Sequence, residues 1–224
     1  MSDYQLISER YITPTPAGAY YAVSSDSKDL ARQVLFGLMS GESSPVLTLD
    51  LIKELTGLQS EQEMLELLYR MQKLGWIQSE DLERESPSGM LEEVLPGLLS
   101  VLSGSGKALL ADQQGFYLAT HGFSHEAAEE LSALSADIAS LHQRHSGLLR
   151  NNLGIDSSAW AVVDASGDSH LGCWPVFIGD QRFSLVLGGV PQMNQVALTD
   201  LVWALTKRYR NASSVEESRE ANAM

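Results

Sequence analysis

The sequence predicts an α+β protein with two folded domains separated by a polar boundary. The first part contains three apolar patterns of helical period, followed by a short strand. The second part reads as helix, two strands, long helix, three strands and helix. Residues 79–89 are polar and rich in chain breakers, so we place a first domain at 1–80, a linker at 81–89 and a second domain at 90–210.

Composition narrows the classes of function. The 224 residues are 44% hydrophobic and carry a formal net charge of −14 that is spread over the chain. Nucleic-acid phosphates and anionic membrane surfaces attract basic patches, so neither is an expected partner. The single cysteine fits a reducing compartment, and no apolar run approaches the roughly 20 residues of a membrane span. We therefore expect a cytoplasmic protein.

The first 24 residues contain two groups of strand-forming residues. Tyr11 and Ile12 precede the breakers Pro14 and Gly18, and Tyr20 follows them. This pattern predicts a small β-hairpin or arm at the N-terminus.

Three helices are predicted next. The first begins near Leu30, Thr48 caps the second, and Ser60 begins a capping-box-like motif at the third. Gly75 ends the third helix, and a strand begins at Trp76. Three short helices before a strand resemble a winged helix. With the leading hairpin, they also resemble the peptide-binding winged-helix modules of peptide-modification systems.

The second domain has clear turn and helix signals. Asp112 to Gly115 reads as a turn between two strands, and residues 124–151 read as one long helix with acidic early turns. Pro175 lies within a predicted strand and places that strand at an edge or a bulge, because proline lacks the N–H of a sheet ladder. Residues 211–224 read as a disordered tail. The remaining helices and strands are predicted at 90–103, 107–111, 116–120, 160–164, 170–178, 182–187 and 194–209.

This part of the chain resembles the roadblock/dynein-light-chain family. The resemblance covers roughly residues 90–210 and is carried by the run from Lys107 to Gly122, the alanine- and glutamate-rich helix after it, and the strand Trp160–Asp164. It implies an α/β sandwich with a central five-stranded antiparallel sheet between helices, in the order α-β-β-α-β-β-β-α. It also implies a homodimer formed through the long helix and the next strand, without catalytic residues or a cofactor. The family's members act as scaffolds and regulators of Ras-like GTPases.

The long helix carries two stripes. We expect the stripe of large residues to pack against the sheet. A second stripe, of small residues, would then allow close approach of another helix across a two-fold axis. The large stripe contains Ala127, Leu131, Leu134, Ile138, Leu141, His145 and Leu148. The predicted dimer interface contains Ala128, Ser132, Ser135, Ala139, Trp160 and Val162.

The sequence contains only weak matches to the motifs of phosphate-binding, metal and catalytic sites. The segment Ser103 to Lys107 hints at a phosphate loop but lacks its first glycine and its final Ser or Thr. His121, His125, His142 and His145 lack the accompanying cysteines or carboxylates of a zinc site. Cys173 reads as a structural residue because the sequence places no base beside it. We therefore predict no catalytic, metal or cofactor site.

The sequence thus favours a non-enzymatic dimeric adaptor that binds or regulates a small Ras-like GTPase or related NTPase. One alternative is a dimeric winged-helix transcription regulator, which the acidic start of the third helix disfavours. Another is a small-molecule sensor with a pocket between the sheet and the long helix, by analogy of fold.

Overall fold

The computed structural model describes Leu6 and residues 9–210, so the predicted tail lies outside the described residues. The described residues form seven α-helices and seven β-strands, which confirms the α+β class. They divide into two compact units, the first with residues up to Ser88 and from Leu198 onward, the second with Gly89–Ala197. Within this described part, no helix is both long and apolar enough to cross a bilayer.

The first unit surrounds a two-stranded antiparallel sheet. Its elements are β1 (Tyr11–Pro14), α1 (Pro16–Val23), α2 (Leu30–Leu38), α3 (Leu49–Thr56), α4 (Glu61–Lys73) and β2 (Ile77–Glu80). Tyr11 lies opposite Glu80, and Pro14 lies opposite Ile77. The three predicted helices and the strand after them are therefore present, while the winged-helix assignment stays a prediction.

The predicted N-terminal hairpin is wrong, because its second half is the helix α1. The Thr15 side chain caps this helix by accepting from the backbone N–H of Gly18 at 3.1 Å. Pro16 occupies the start of the helix, where its missing N–H costs nothing. Local capping therefore outweighs the strand propensity of Tyr20.

Helix α1 lies unusually close to the end of α4. A Cβ added to Gly18 would lie 1.9 Å from the carbonyl oxygen of Trp76, so only glycine fits there. The rings of Tyr21 and Trp76 stack with centroids 3.7 Å apart, and the Arg32 guanidinium lies 4.1 Å from the Tyr21 centroid. These aromatic residues stabilise the first unit by stacking on one another.

The last helix, α7 (Val196–Leu205), is buried along most of its length and continues into a π-helical segment, Thr206–Arg210. Its Trp203 indole N–H donates to the Gly41 carbonyl at 2.9 Å. Asp200 pairs with Arg84 at 2.6 Å. These contacts place the helix in the first unit, whereas the sequence analysis grouped it with residues 90–210. Arg84 itself belongs to the predicted linker; the proposed domain bounds remain a prediction.

The second unit is built on a five-stranded antiparallel sheet, as the sequence predicted. The strand order is β4-β3-β7-β6-β5, so β4 and β5 are the edges. Its elements are α5 (Leu91–Val101), β3 (Ala108–Ala111), β4 (Tyr117–His121), α6 (His125–Gly147), β5 (Trp160–Val163), β6 (Ser169–Ile178) and β7 (Gln181–Gly188).

Two hairpin turns of this sheet are stabilised in the same way, by an aspartate side chain that accepts backbone hydrogen bonds. Asp112 Oδ1 accepts from the N–H groups of Gln114 and Phe116, both at 2.9 Å. In the turn between β5 and β6, Asp164 Oδ1 accepts from Ser166 at 2.8 Å and from Asp168 at 3.1 Å. In each turn, the side chain of an aspartate holds the backbone in a fixed conformation.

The strand that contains Pro175 is not an edge strand, because β6 lies inside the sheet between β7 and β5. The predicted alternative of an irregular strand is present near the start of β6, where the register with β5 shifts between Leu171 and Ser169. The short β5 pairs with β6 only as far as Cys173, so Pro175 lies beyond the end of β5. The proline is compatible with an interior strand because its neighbour on that side is missing.

Candidate functional site

Helix α6 is the element on which the predicted interface depends. Ser124 caps it by accepting from the N–H of Ala127 at 3.3 Å, and Glu126 lies in its first turn. Arg144 and His145 lie in its last turn. Acids at the start and bases at the end both complement the helix dipole. The sequence therefore specifies a single helix of 23 residues.

The sheet-facing side of α6 is formed by small residues. Ala128, Ser132 and Ser135 are at most 1% exposed, and Ala128 packs against Leu109 and Val186 of the sheet. The Ser132 hydroxyl donates to the Ala128 carbonyl at 2.7 Å, and the Ser135 hydroxyl donates to the Ser132 carbonyl at 2.8 Å. The serines can be buried because their hydroxyls are satisfied inside the helix.

The prediction that the large stripe packs inward is confirmed for Leu131, which packs beside the core of the sheet, and is wrong for three later leucines of the stripe. Leu134, Leu141 and Leu148 are 46%, 39% and 51% exposed. The small residues let the helix lie close to the sheet. The exposed leucines lie on another side of the helix, away from the sheet. The predicted interface residues Ala128, Ser132 and Ser135 have almost no surface left for a partner, and Ala139 is half-buried.

Strand β5 presents a second exposed apolar surface. All four of its residues are exposed, and Trp160 and Val162 are 39% and 63% exposed. Alternate residues of a strand share a face. Trp160 contacts α6, so Val162 points to the helix side as well. The outer edge of β5 has no neighbouring strand in the sheet, which leaves its backbone groups open for pairing.

A polar pair joins these two elements. The Trp160 indole N–H donates to His142 Nδ1 at 3.2 Å, and the two rings meet nearly edge to face at 6.2 Å. Burial and the nearby charge of Arg150 lower the pKa of His142. A histidine that accepts this hydrogen bond at Nδ1 is neutral, with its proton on Nε2. No local sequence pattern predicts this contact, because the two residues are 18 positions apart in the chain.

Helix and strand together form one surface. The three leucines repeat every seven residues, which keeps them on one side of α6. The contact between His142 and Trp160 shows that strand β5 lies near this helix. We use the name apolar face for five exposed residues of this region: Leu134 and Leu141 of α6, Leu148 at the start of the π-helical segment that follows it, and Trp160 and Val162 of β5.

His125 contacts two neighbouring side chains of the second unit. His125 Nδ1 lies 2.6 Å from the Tyr117 hydroxyl, and its Nε2 lies 3.4 Å from Glu129. Across the described residues, no group of three or more His, Cys, Asp or Glu side chains is placed to hold a metal ion.

The loop from Ser103 to Lys107 and the side chain of Cys173 both make contacts within the second unit. The Ser103 hydroxyl donates to the Gly188 carbonyl at 2.6 Å and accepts from the Lys107 N–H at 3.0 Å. This serine therefore holds the loop against strand β7. Cys173 packs beside the core of the sheet, and burial raises the pKa of its thiol to about 11. A thiol with that pKa is a poor nucleophile at neutral pH.

Comparisons with known proteins identify similar folds among solved structures. The chain is similar to a roadblock/LC7 domain from Streptomyces avermitilis, at 16% identity over 57% of this chain and 99% of that chain, with a TM-score of 0.35. It is also similar to MglB of Myxococcus xanthus, at 16% identity over 57% and 95% of the two chains, with a TM-score of 0.33. For the gliding protein MglB of Thermus thermophilus, the identity is 19% over 55% and 93%, with a TM-score of 0.33. No protein-family model and no curated protein matches the chain.

Proposed function

We propose that this chain is a dimeric adaptor that binds and regulates a small Ras-like GTPase or a related NTPase. Two copies associate through the apolar face, and the dimer presents the surface that the partner recognises. The observation that carries the proposal is the exposure of large apolar side chains on both α6 and the open edge of β5.

Burial of the apolar face would favour association. Covering a large apolar side chain contributes about 1.5–3 kcal/mol. Leu134, Leu141 and Val162 are the most suitable anchors, since they lie on regular elements that are already ordered. A contiguous apolar surface on a soluble protein typically marks an interaction site.

The open strand supports a two-fold arrangement. Two copies of β5 can pair antiparallel across a two-fold axis, which satisfies the free backbone groups of both edges. The same operation brings two α6 helices side by side in opposite directions. Residues of one helix then lie next to symmetry-related residues of the other.

The charges of α6 suit that antiparallel arrangement. Its first half carries Glu126, Glu129 and Glu130, and Asp137 lies just past its middle. Its last turn carries Arg144, and Arg150 lies in the π-helical segment Leu148–Asn152 that follows. In an antiparallel pair the acidic half of one helix lies beside the basic end of the other, whereas a parallel pair would place like charges together.

The GTPase as partner follows from the resemblance to the roadblock family. An adaptor of this kind needs no catalytic residue of its own, since it acts by holding residues of its partner in place. The net charge of −14 favours partners with a basic surface.

A nucleotide-controlled capture experiment tests the partner. Tagged full-length chain is incubated with native lysate in the presence of GDP or of a non-hydrolysable GTP analogue, and retained proteins are identified by mass spectrometry. We expect a GTPase that is retained differently in the two nucleotide states. Capture without any NTPase in either state would contradict the proposed function. The Leu141→Glu variant, made to disrupt the dimer, serves as the matched comparison.

A further inference from the structure

We propose that the hydrogen bond between Trp160 and His142 makes the association of two copies pH-dependent, so that acidification separates the dimer. The proposal rests on the proposed function, because it needs a dimer formed through the apolar face. It concerns a titratable side chain placed between the two elements of that face.

The hydrogen bond exists only with a neutral histidine. His142 Nδ1 accepts from the indole N–H at 3.2 Å, and a protonated imidazole has no free lone pair with which to accept. Protonation therefore breaks the contact that fixes Trp160 against α6. A side chain of the apolar face then loses its orientation.

The surroundings of His142 make a positive charge costly there. Strand β5 contributes only Trp160, Ala161, Val162 and Val163, and none of these can balance a charge. Cys173 of β6 lies opposite Trp160 and is a thiol with a raised pKa. Leu141 lies next to His142 on the exposed side of α6. A second copy that covered this region would remove water from the imidazole as well.

The charge of Arg150 adds to this cost. Arg150 lowers the pKa of His142 by repulsion and pairs with Asp156 at 3.6 Å. Arg144 and His145 lie on the same helix, towards its C-terminal end. Asp137, five residues before His142, is the nearest acid on that helix. The described groups therefore offer no counter-ion in contact with a protonated His142.

The direction of the effect follows from linkage. A histidine that is neutral in the dimer and protonated in the free chain takes up a proton on dissociation. Each dimer has two such histidines, so acidification favours the separated chains. The dissociation constant is constant above the pKa that His142 has in the free chain, and it rises as the pH falls through that pKa. Because that pKa is depressed, the change belongs on the acidic side of the ordinary histidine range.

Sedimentation equilibrium of the full chain from pH 8 to pH 5 tests the proposal. We expect the dissociation constant to rise at least ~10-fold across this range, since two linked protons permit up to ~100-fold per pH unit. The His142→Gln variant keeps an acceptor for the indole N–H and cannot be protonated, so its dissociation constant should be nearly constant. His121→Gln, on the opposite edge strand, should behave as the unchanged protein does.

A second measurement separates the switch from a general effect of acid. Long-range ¹H–¹⁵N spectra of the imidazoles should show Nδ1 of His142 unprotonated in the dimer and protonated in the acid-dissociated chain. A dimer whose dissociation constant is independent of pH overturns the proposal, as does one whose pH response survives in His142→Gln. If the pH response were lost in His145→Gln and retained in His142→Gln, the response would arise from His145, and this result would also overturn the proposal. A chain that is monomeric even at pH 8 contradicts the proposed dimer, and the switch with it.

Discussion

Single residues of this chain determine how closely its elements approach. Gly18 allows the backbone of α1 to reach the carbonyl of Trp76, and the serines of α6 allow that helix to lie on the sheet. In both places, a small side chain is required by packing rather than by backbone conformation. Substitutions there should therefore act through steric overlap.

Gly18→Ala should destabilise the first unit. The added Cβ would lie 1.9 Å from the Trp76 carbonyl oxygen, so the backbone must move at a cost of about 1–3 kcal/mol. Gly97→Ala is the matched control, because that helical glycine has no atom within 4 Å of the added Cβ. It should leave stability unchanged or raise it by up to ~1 kcal/mol. Urea unfolding followed by circular dichroism measures both, and equal midpoints would contradict this account of α1.

Cys173 should react slowly in the folded chain. Burial raises its thiol pKa to about 11, so at pH 7.5 only about 1 in 3,000 molecules carries the thiolate. A maleimide or disulfide reagent should modify the folded chain far more slowly than the same chain in urea. Equal rates in the two states would show that this thiol is exposed.

At the scale of elements, α6 combines two functions on different sides. Its small side packs against strands β3 and β7, and its leucine side is open. Strand β5 adds an open edge to the same surface. The helix therefore stabilises the fold through one side and remains available for association through the other.

Ser132→Leu should destabilise the second unit by about 1–3 kcal/mol, because a large side chain cannot fit under a fully buried serine without displacing the helix. Ser140→Leu introduces the same side chain at an exposed position of the same helix and should change stability by less than about 0.5 kcal/mol. Thermal unfolding compares the two. If the Ser140 variant lost more stability than the Ser132 variant, the orientation of α6 described here would be wrong.

Most of the elements could be predicted from the sequence, because their signals are local. Caps at Thr48, Ser60 and Ser124 and the aspartate turns fix where helices and strands begin and end. Local signals could not predict which side of α6 packs against the sheet. Both of its stripes have helical period, and the choice between them depends on how close the sheet lies.

Two further features required the tertiary structure. Strand propensity in Tyr20 and Tyr21 suggested a hairpin, while the Thr15 cap and the close approach at Gly18 produce a helix. The contact between His142 and Trp160 depends on the position of β5 beside α6. The Thr15 cap is a local signal that competes with strand propensity, whereas the close approach at Gly18 and the contact between His142 and Trp160 have no signal in residues that are near in sequence.

At the scale of the whole molecule, the central property that we propose is the association of two copies. The chain carries a net charge of −14, which keeps separate copies apart unless a specific surface brings them together. The apolar face offers such a surface, and the opposed charges of α6 define its direction. A partner protein would then meet the dimer rather than the single chain.

The most direct test is the mass of the full chain in solution at pH 8, measured by sedimentation equilibrium for the unchanged protein, Leu141→Glu and Gln143→Glu. Gln143 is exposed and lies about 200° around α6 from Leu141, so the two variants add the same charge on different sides of one helix. We predict a dimer for the unchanged chain and for Gln143→Glu, and a monomer or a dissociation constant at least ~10-fold higher for Leu141→Glu, since that variant buries a charge in the interface. A monomeric unchanged chain, or a Leu141→Glu variant that associates as tightly as the unchanged chain, would contradict the account.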